Sequence, residues 1–294
     1  MKAHYYLIDA FTHEYFQGAQ VAVCPVADML SELQMQAIAR ELNQNECVFV
    51  QSSSESDRRF CLKVYSSREE INGHGHPMIA TAYLLAKLDR LSNGISEFEH
   101  RNHITQICIE SSADSIQKIS FCSKAKIVFD DFVPAAVELA EILHLDEKDI
   151  GLLDHQTLIA GSDDNYLLIP VKNELVLKAA HFNINKWTVS FVASLASRIL
   201  LYTANHSVPD VDYHARMLGK GITEADDPAV APAVPALAAS LFRSHGIQRC
   251  TIQRGLGKLR QSLIEVEVES EGADIGQINV GGNAVISAQG DIYL

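Results

Sequence analysis

The stretch EEINGHGHPMIATAYLLAKL, residues 69–88, constrains the fold more than any other part of the sequence. Two histidines stand between glycines, and Pro77 then opens an apolar segment that runs to about Leu88. Proline is favoured in the first turn of a helix, because its missing N–H would have no intrahelical acceptor there. The pattern therefore predicts a helix from Pro77 to about Leu88, with its N-terminus presented by a glycine turn.

Strand-like runs surround this helix. HYYLIDAF, AQVAVCPV, ECVFVQSS and FCLKVYSS precede it, and ISEFEH, ITQICIE and IQKISFCSKAKIVF follow it. Apolar residues at spacings of three and four predict a further helix over residues 30–42. The second half repeats this order, with its apolar helix in DDPAVAPAVPALAASLF. The sequence therefore predicts an α+β fold of two similar lobes that meet near residues 125–132.

The composition argues against two classes of partner. The chain has 294 residues and a formal net charge of −13, so it lacks the basic surface of proteins that bind nucleic acid or anionic membranes. The longest apolar run, residues 228–242, is too short to span a bilayer and contains three prolines. We expect a globular protein that has neither nucleic acid nor membrane as a partner.

The first residues of the sequence and its cysteines predict a cytoplasmic location. Met1 and Lys2 lead directly into a strand-like run, so we expect no signal peptide. No two cysteines form a C-x-x-C pair, and in a chain of this length such scattered cysteines indicate buried thiols in a reducing compartment. The six are Cys24, Cys47, Cys61, Cys108, Cys122 and Cys250.

The segment GHGHP admits several interpretations. A metal site on His74 and His76 would need further ligands, and no cluster with ligand spacing accompanies them. A dinucleotide loop would need a G-x-G-x-x-G pattern, which Pro77 interrupts. A helix N-terminus reached through glycines suits a small anion such as a carboxylate. A purely structural loop stays open beside this interpretation.

Two acidic positions are candidates for proton transfer. Glu46 lies between a predicted helix and the apolar strand that begins at Cys47, where burial favours acid/base chemistry. Asp226 and Asp227 precede the apolar helix of the second half, much as Glu70 and GHGHP precede that of the first. Both positions are also typical of helix caps and strand-end charges. Cys47 is interpreted as a small core residue.

Six motifs in order resemble the phenazine-biosynthesis PhzF-like family, which has the diaminopimelate-epimerase fold. They are LIDAFTHEYFQG, ELNQNECVFV, EINGHGHPMIATAYLL, DYHARML with GITEADDPA, RGLGKLRQS and VGGNAVISAQGDIYL. The resemblance implies two pseudo-symmetric lobes, each a mostly antiparallel sheet around a central helix. It places the first lobe at residues 1–128 with a returning strand at 284–294, and the second lobe at residues 129–283.

The resemblance also implies functional residues. The family's catalytic glutamate, histidine and aspartate match Glu46, His76 and Asp227, whereas His74 has no counterpart. Arginines of the family match Arg216 and Arg260, the latter with Ser262. The positions expected to bind substrate are Gly75, Ala19, Gln20, Ala231 and Pro232.

Three departures from the family pattern stand out. Ala19 replaces an asparagine after the first strand, and Asn45 replaces the serine before the glutamate. The T-G-S motif before the second helix is Val230–Ala231–Pro232. Pro232 offers neither a hydroxyl nor an N–H, and losing one such preorganised donor costs about 3 kcal/mol of transition-state stabilisation.

The resemblance implies an isomerase or epimerase-like enzyme that needs no cofactor or metal, moves a proton on a small carboxylate bound between the lobes, and forms homodimers. Glu46 would transfer the proton, while His76 and Asp227 would hydrogen-bond the substrate. The altered second-lobe motif keeps a second hypothesis open, a ligand-binding or interaction protein that retains the fold with little turnover. A metal protein through His74 and His76 is the third.

Overall fold

The computed structural model describes residues 2–53, 56, 58–73, 75–101, 103–112, 115–124, 126–162, 164–220, 222, 229–255, 260–272 and 274–294. Its contacts divide the chain into two compact units, residues 1–123 with 279–294, and residues 124–278. The sequence had placed these boundaries a few residues later, at 128/129 and 283/284. No helix in the described ranges is both long and apolar enough to cross a bilayer.

The described part of the first unit contains nine strands or parts of strands and two helices. The strands are β1 (Lys2–Ala10), β2 (Ala19–Cys24), β3 (Cys47–Ser52), β4 (Arg59–Tyr65), β5 (Gly94–His100), β6 (His103–Ser112), β7 (Ser115–Ser123), the end of β15 (Asp274–Gly282) and β16 (Ala284–Tyr293). The helices are α1 (Glu32–Leu42) and α2 (His76–Lys87).

Its sheet runs in the order β16-β1-β2-β3-β4-β5-β6-β7. The β2–β3 and β4–β5 pairs are parallel, and the other described pairs in this run are antiparallel. The predicted mostly antiparallel sheet is therefore confirmed. The parallel pairs arise where a helix or a long loop connects two neighbouring strands.

Helix α2 is the central helix of this unit. It contacts β1, β2, β3, β6, β7 and β16, and its residues are buried on most sides, as an apolar helix requires. The predicted helix is confirmed, although it begins at His76, one residue before Pro77.

Helix α1 covers a different part of the sheet. Its residues Met35 and Ile38 form a core with Ala22, Cys47 and other buried residues of β2, β3 and β4. Ser31 caps the helix in a reciprocal capping box with Gln34, which explains why it begins at Glu32. The strands β2 and β3 thus lie between α1 and α2.

The second unit repeats this arrangement with more helices. Its strands, in the sheet order β15-β14-β13-β12-β11-β10-β9-β8, include β8 (Val128–Asp130), β9 (Leu158–Gly161), β10 (Asn165–Pro170), β11 (Arg198–Ala204), β12 (Tyr213–Leu218), β13 (Arg249–Arg254) and β14 (Ser262–Glu271). Its helices are α3 (Ala136–Leu143), α4 (Glu174–Ala179), α5 (Ile184–Val189) and α6 (Val234–His245).

Helix α6 is the apolar helix of this unit and contacts β9 and β14. It begins at Val234, after a 3-10 turn over Ala231–Ala233, and so starts later than its apolar sequence suggests. A helix that began near residue 228 would place Pro235 in its interior, where the ring clashes with the carbonyl four residues earlier. Starting at Val234 keeps Pro235 in the first turn, where proline is tolerated.

Candidate active site

The N-terminus of α2 is presented by Gly75. This residue has φ 87° and ψ −115°, a backbone conformation that glycine adopts without a steric cost. No side chain caps the helix. The first N–H groups of a helix lack intrahelical acceptors, and together with the helix dipole they favour an anion at this end.

Glu46 reaches this helix end from the adjacent strand. It directly precedes β3, and its carbonyl accepts a hydrogen bond of 3.1 Å from the Ala22 N–H of β2. The Glu46 Oε2 atom lies 2.6 Å from His76 Nε2. The side chains are only 15% and 9% exposed, so both groups are almost withdrawn from water.

Beyond this contact, Glu46 Oε2 has no hydrogen-bond partner among the described residues, and neither has His76 Nδ1. Buried polar atoms in folded proteins are nearly always hydrogen-bonded, to protein or to another molecule. A carboxylate and an imidazole with free polar atoms, beside an uncapped helix N-terminus, form a suitable place for an acidic ligand and for proton transfer.

Cys47 adjoins Glu46 but does not contribute a nucleophile. Its side chain is 1% exposed, which confirms its interpretation as a core residue. Burial, reinforced by the neighbouring Glu46 carboxylate, raises the pKa of Cys47 to about 12. The thiol is therefore neutral at physiological pH, and the thiolate is the reactive form.

Gln20 lies on the other face of the sheet from Glu46. Its Nε2 donates to the wholly buried carboxylate of Asp9 at 3.3 Å. Side chains alternate along a strand, so Gln20 shares a face with Ala22, whereas Glu46 is directed opposite to Cys47. This placement disfavours direct contact between the Gln20 side chain and a ligand at Glu46. A role for the Gln20 backbone stays a prediction.

Asp9 also organises the loop before β2. Its Oδ2 accepts a hydrogen bond of 2.9 Å from the N–H of Phe16, a residue with positive φ. Ala19 opens β2 opposite Ala10 and is buried, and its part in substrate binding stays a prediction. The sequence analysis did not single out Asp9, although an acidic residue within an apolar strand is a recognisable signal.

The predicted second-lobe positions have a compact local structure. Val230 and Ala231 are wholly buried, and Pro232 is partly buried. The N–H groups of Ala233 and Val234 donate back to Val230 and Ala231 within the 3-10 turn. Asp226 and Asp227 lie outside the described residues, so the role of Asp227 stays a prediction.

Two other matched residues have structural partners in the second unit. Arg216 on β12 donates to three carbonyls at the end of α4, those of Leu177, Lys178 and Ala180, at 3.3, 3.2 and 2.8 Å. Ser262 on β14 is buried against Arg254, whose guanidinium lies 2.8 Å from the Ser262 hydroxyl. Arg260 lies two residues before β14.

The metal hypothesis gains no support from the described ranges. Within them, no group of three or more histidine, cysteine, aspartate or glutamate side chains is placed to hold an ion. His74, one of the two histidines in that hypothesis, lies outside the described residues.

The comparison with protein families decides the relationship. The family model PhzC-PhzF, described as phenazine biosynthesis-like protein, matches residues 8–290. The chain belongs to the PhzC-PhzF family. The resemblance seen in the six motifs is therefore confirmed.

Relatives of this family member are named isomerases. An uncharacterized isomerase of Mesorhizobium japonicum is 28% identical over 99% of both chains. An uncharacterized isomerase of Escherichia coli is 28% identical over 97% of both chains. These names indicate an isomerase as the general class.

Solved structures agree on the fold. A Bacillus anthracis phenazine biosynthesis protein of the PhzF family has a TM-score of 0.88 at 22% identity and covers 100% of both chains. A hydroxyproline epimerase of Agrobacterium vitis, solved with bound trans-4-hydroxy-L-proline, has a TM-score of 0.64 at 7% identity, over 99% of this chain and 91% of its own. At such identities the likeness establishes the fold alone. The predicted epimerase-like α+β fold is confirmed.

Proposed function

We propose that the protein is a cofactor-independent isomerase that moves a proton on a small carboxylate. The observation that carries this proposal is the pair Glu46 and His76, nearly buried, 2.6 Å apart and with unpartnered polar atoms at the α2 N-terminus. Family membership and the relatives' names support the isomerase class.

The reaction follows from the chemistry of this pair. The substrate carboxylate binds at the N-terminus of α2, beside the N–H groups of Gly75 and His76, where the helix dipole favours negative charge. The Glu46 carboxylate removes a proton from the adjacent carbon, or from a carbon of a conjugated unsaturated system, and becomes a carboxylic acid. It returns that proton to another face or another carbon, so the product is an isomer and Glu46 is ionised again.

His76 stabilises the intermediate in this scheme. Its imidazole lies against the Glu46 carboxylate, and its Nδ1 is free to hydrogen-bond the substrate. Asp227 is proposed as a second hydrogen-bonding group, on the basis of its motif alone. We also propose a homodimer, which the resemblance to the family implies, and a cytoplasmic location, which the six free cysteines favour.

The test measures deuterium uptake from D₂O into a panel of small carboxylates. We expect the wild-type protein to exchange at least one carbon-bound proton, and Glu46→Gln to slow this exchange by about 100-fold or more. Glu41→Gln is the matched control, because Glu41 is an exposed glutamate of α1 on the same stretch of chain. Undiminished exchange in Glu46→Gln would remove Glu46 from the mechanism.

One observation favours a second candidate, a carboxylate-binding protein with little turnover. In the turn at Ala231–Ala233, the N–H groups of Ala233 and Val234 donate to carbonyls of the turn itself, and Pro232 has no N–H with which to bind a ligand. Calorimetry with the same carboxylates distinguishes the candidates. Binding without deuterium uptake supports the binding protein, and uptake that depends on Glu46 supports the isomerase.

A further inference from the structure

His100 bridges two backbone carbonyls inside the first unit. It ends β5 and is only 2% exposed. Its Nδ1 lies 2.9 Å from the Leu62 carbonyl oxygen of β4, and its Nε2 lies 3.0 Å from the Ile71 carbonyl oxygen. Carbonyl oxygens only accept hydrogen bonds, and a neutral imidazole carries a single N–H. A ring N–H of His100 therefore donates to one of these carbonyls, and the ring lies between the two.

Arg101 holds the same loop from the next position. Its Nη2 donates to the Glu70 carbonyl at 2.6 Å, and its Nη1 donates to Asn72 Oδ1 at 3.0 Å. The two side chains thus contact three consecutive loop residues, Glu70 to Asn72. Hydrogen bonds from the charged Arg101 guanidinium are stronger than those between neutral groups, which suits this clamping role.

The clamped loop leads directly into the candidate active site. The Ile71 N–H donates to the Val64 carbonyl of β4 at 2.8 Å. Gly73 follows and packs against the Val64 side chain, where an added Cβ would lie 2.3 Å from Cγ2. Gly75 and His76 follow two and three residues later in the chain. The position of the loop therefore sets where the α2 N-terminus begins.

We infer that His100 and Arg101 are positioning residues for the glycine loop that presents Gly75 and His76. This inference rests on the proposed function for its consequence in catalysis, whereas the clamp itself is a property of the folded chain. Neither residue touches the reacting atoms. Sequence patterns gave no sign of them, because their partners are mainly backbone carbonyls distant in the chain.

Proton NMR of the protein with ¹⁵N-labelled histidine tests the His100 contacts directly. We expect a ring N–H signal from His100 that exchanges slowly with water, because the ring is buried and hydrogen-bonded to a backbone carbonyl. His103, which is exposed, serves as the comparison within the same hairpin. A His100 ring N–H that exchanges as fast as that of His103 would overturn the His100 part of the clamp.

Two variants test the positioning role. We expect His100→Gln and Arg101→Ala each to speed hydrogen exchange of the Ile71 amide by about tenfold or more and to shift the His76 ring signals. The controls are His103→Gln and Arg68→Ala, which change exposed residues beside the clamp. Arg101 is partly exposed, so its variant remains informative if His100→Gln fails to fold.

The outcomes separate this inference from the proposed function. Unchanged Ile71 protection and unchanged His76 signals in the folded Arg101→Ala protein would overturn the clamp, whatever the enzyme does. Faster loop exchange supports the clamp even if no carboxylate takes up deuterium, a result that counts only against the proposed isomerase. Where the wild type does exchange, the two clamp variants are expected to lower the rate with Glu46 intact.

Discussion

The carboxylate of Glu46, one residue before β3, lies 2.6 Å from the imidazole of His76, the first residue of α2. The parallel pairing of β2 and β3 fixes the position of the Glu46 backbone, because the Glu46 carbonyl accepts a hydrogen bond from the Ala22 N–H. The packing of α2 against these strands fixes the position of His76. The contact therefore depends on the sheet and on the central helix together.

Gly73 lies against Val64 with no room for a side chain. We expect Gly73→Ala to lower the free energy of unfolding by about 1–3 kcal/mol, because the new methyl group forces the loop away from β4. Val64→Ala removes the two methyl groups nearest to Gly73. In a protein that carries Val64→Ala, Gly73→Ala should therefore lower the free energy of unfolding by about 1 kcal/mol less than it does in the wild type. Urea denaturation of the four proteins gives the coupling, and equal costs in both backgrounds would contradict the close contact.

Cys47 and Cys24 are expected to resist alkylation in the folded protein. Burial raises the pKa of each thiol to about 12, so very little thiolate is present at pH 8. Iodoacetamide labelling followed by mass spectrometry should modify both only after denaturation. Activity, once a substrate is found, should survive treatment of the native protein. Rapid native labelling of Cys47 would show that its strand opens.

Arg216 is expected to act as a cap for α4. Arg216→Met should lower the free energy of unfolding by about 1.5–3 kcal/mol, because three carbonyls at the helix end lose a charged donor. Arg249→Met is the matched control on a neighbouring strand, where an exposed ion pair with Glu267 should be worth less than about 1 kcal/mol. Equal effects of the two substitutions would exclude the capping role.

The stability of the protein should fall on mild acidification because of His214. This side chain is wholly buried, and burial lowers its pKa from the ordinary value of 6.5, although the nearby Glu174 carboxylate partly opposes that shift. The unfolded chain then binds a proton at a higher pH than the folded chain. The stabilisation that comes from keeping His214 neutral in the folded protein is full above pH 6.5, and it is lost as the pH falls towards the lowered pKa of His214.

Thermal unfolding between pH 8 and about pH 5 measures this effect. His214→Gln should flatten the upper part of the stability profile, whereas His206→Gln, an exposed residue nearby, should leave it unchanged. Glu174 adds a second decline at lower pH, because a hydrogen bond from Ser207 lowers its pKa from 4.5, so its stabilisation is lost as the pH falls below that value. An identical profile for His214→Gln would contradict this assignment.

Several local features were predictable because they depend on neighbouring residues. The capping box at Ser31 and Gln34 explains the start of α1, and Gly75 with Pro77 explains the start of α2. The start of α6 at Val234 was not predicted, because Pro228, Pro232 and Pro235 lie in the same apolar run and allow more than one helix boundary.

The site could be predicted only in part. Motif order singled out Glu46 and His76, which the structure places in contact. It also singled out Gln20, whose side chain donates to the Asp9 carboxylate and whose part in substrate binding stays a prediction. A single sequence indicates alternation along a strand, but it does not indicate which neighbouring strand or helix covers each face.

The sequence by itself determined the order of strands and apolar helices, the glycine-presented N-terminus of α2 and the family, since these follow from local pattern and motif order. Only the tertiary structure decided that Glu46 and His76 are neighbours with free polar atoms. It alone also decided that His100 and Arg101 clamp the loop before them. The physical reason is that these contacts join backbone and side-chain atoms far apart in the chain, which are brought within bonding distance by sheet pairing and helix packing.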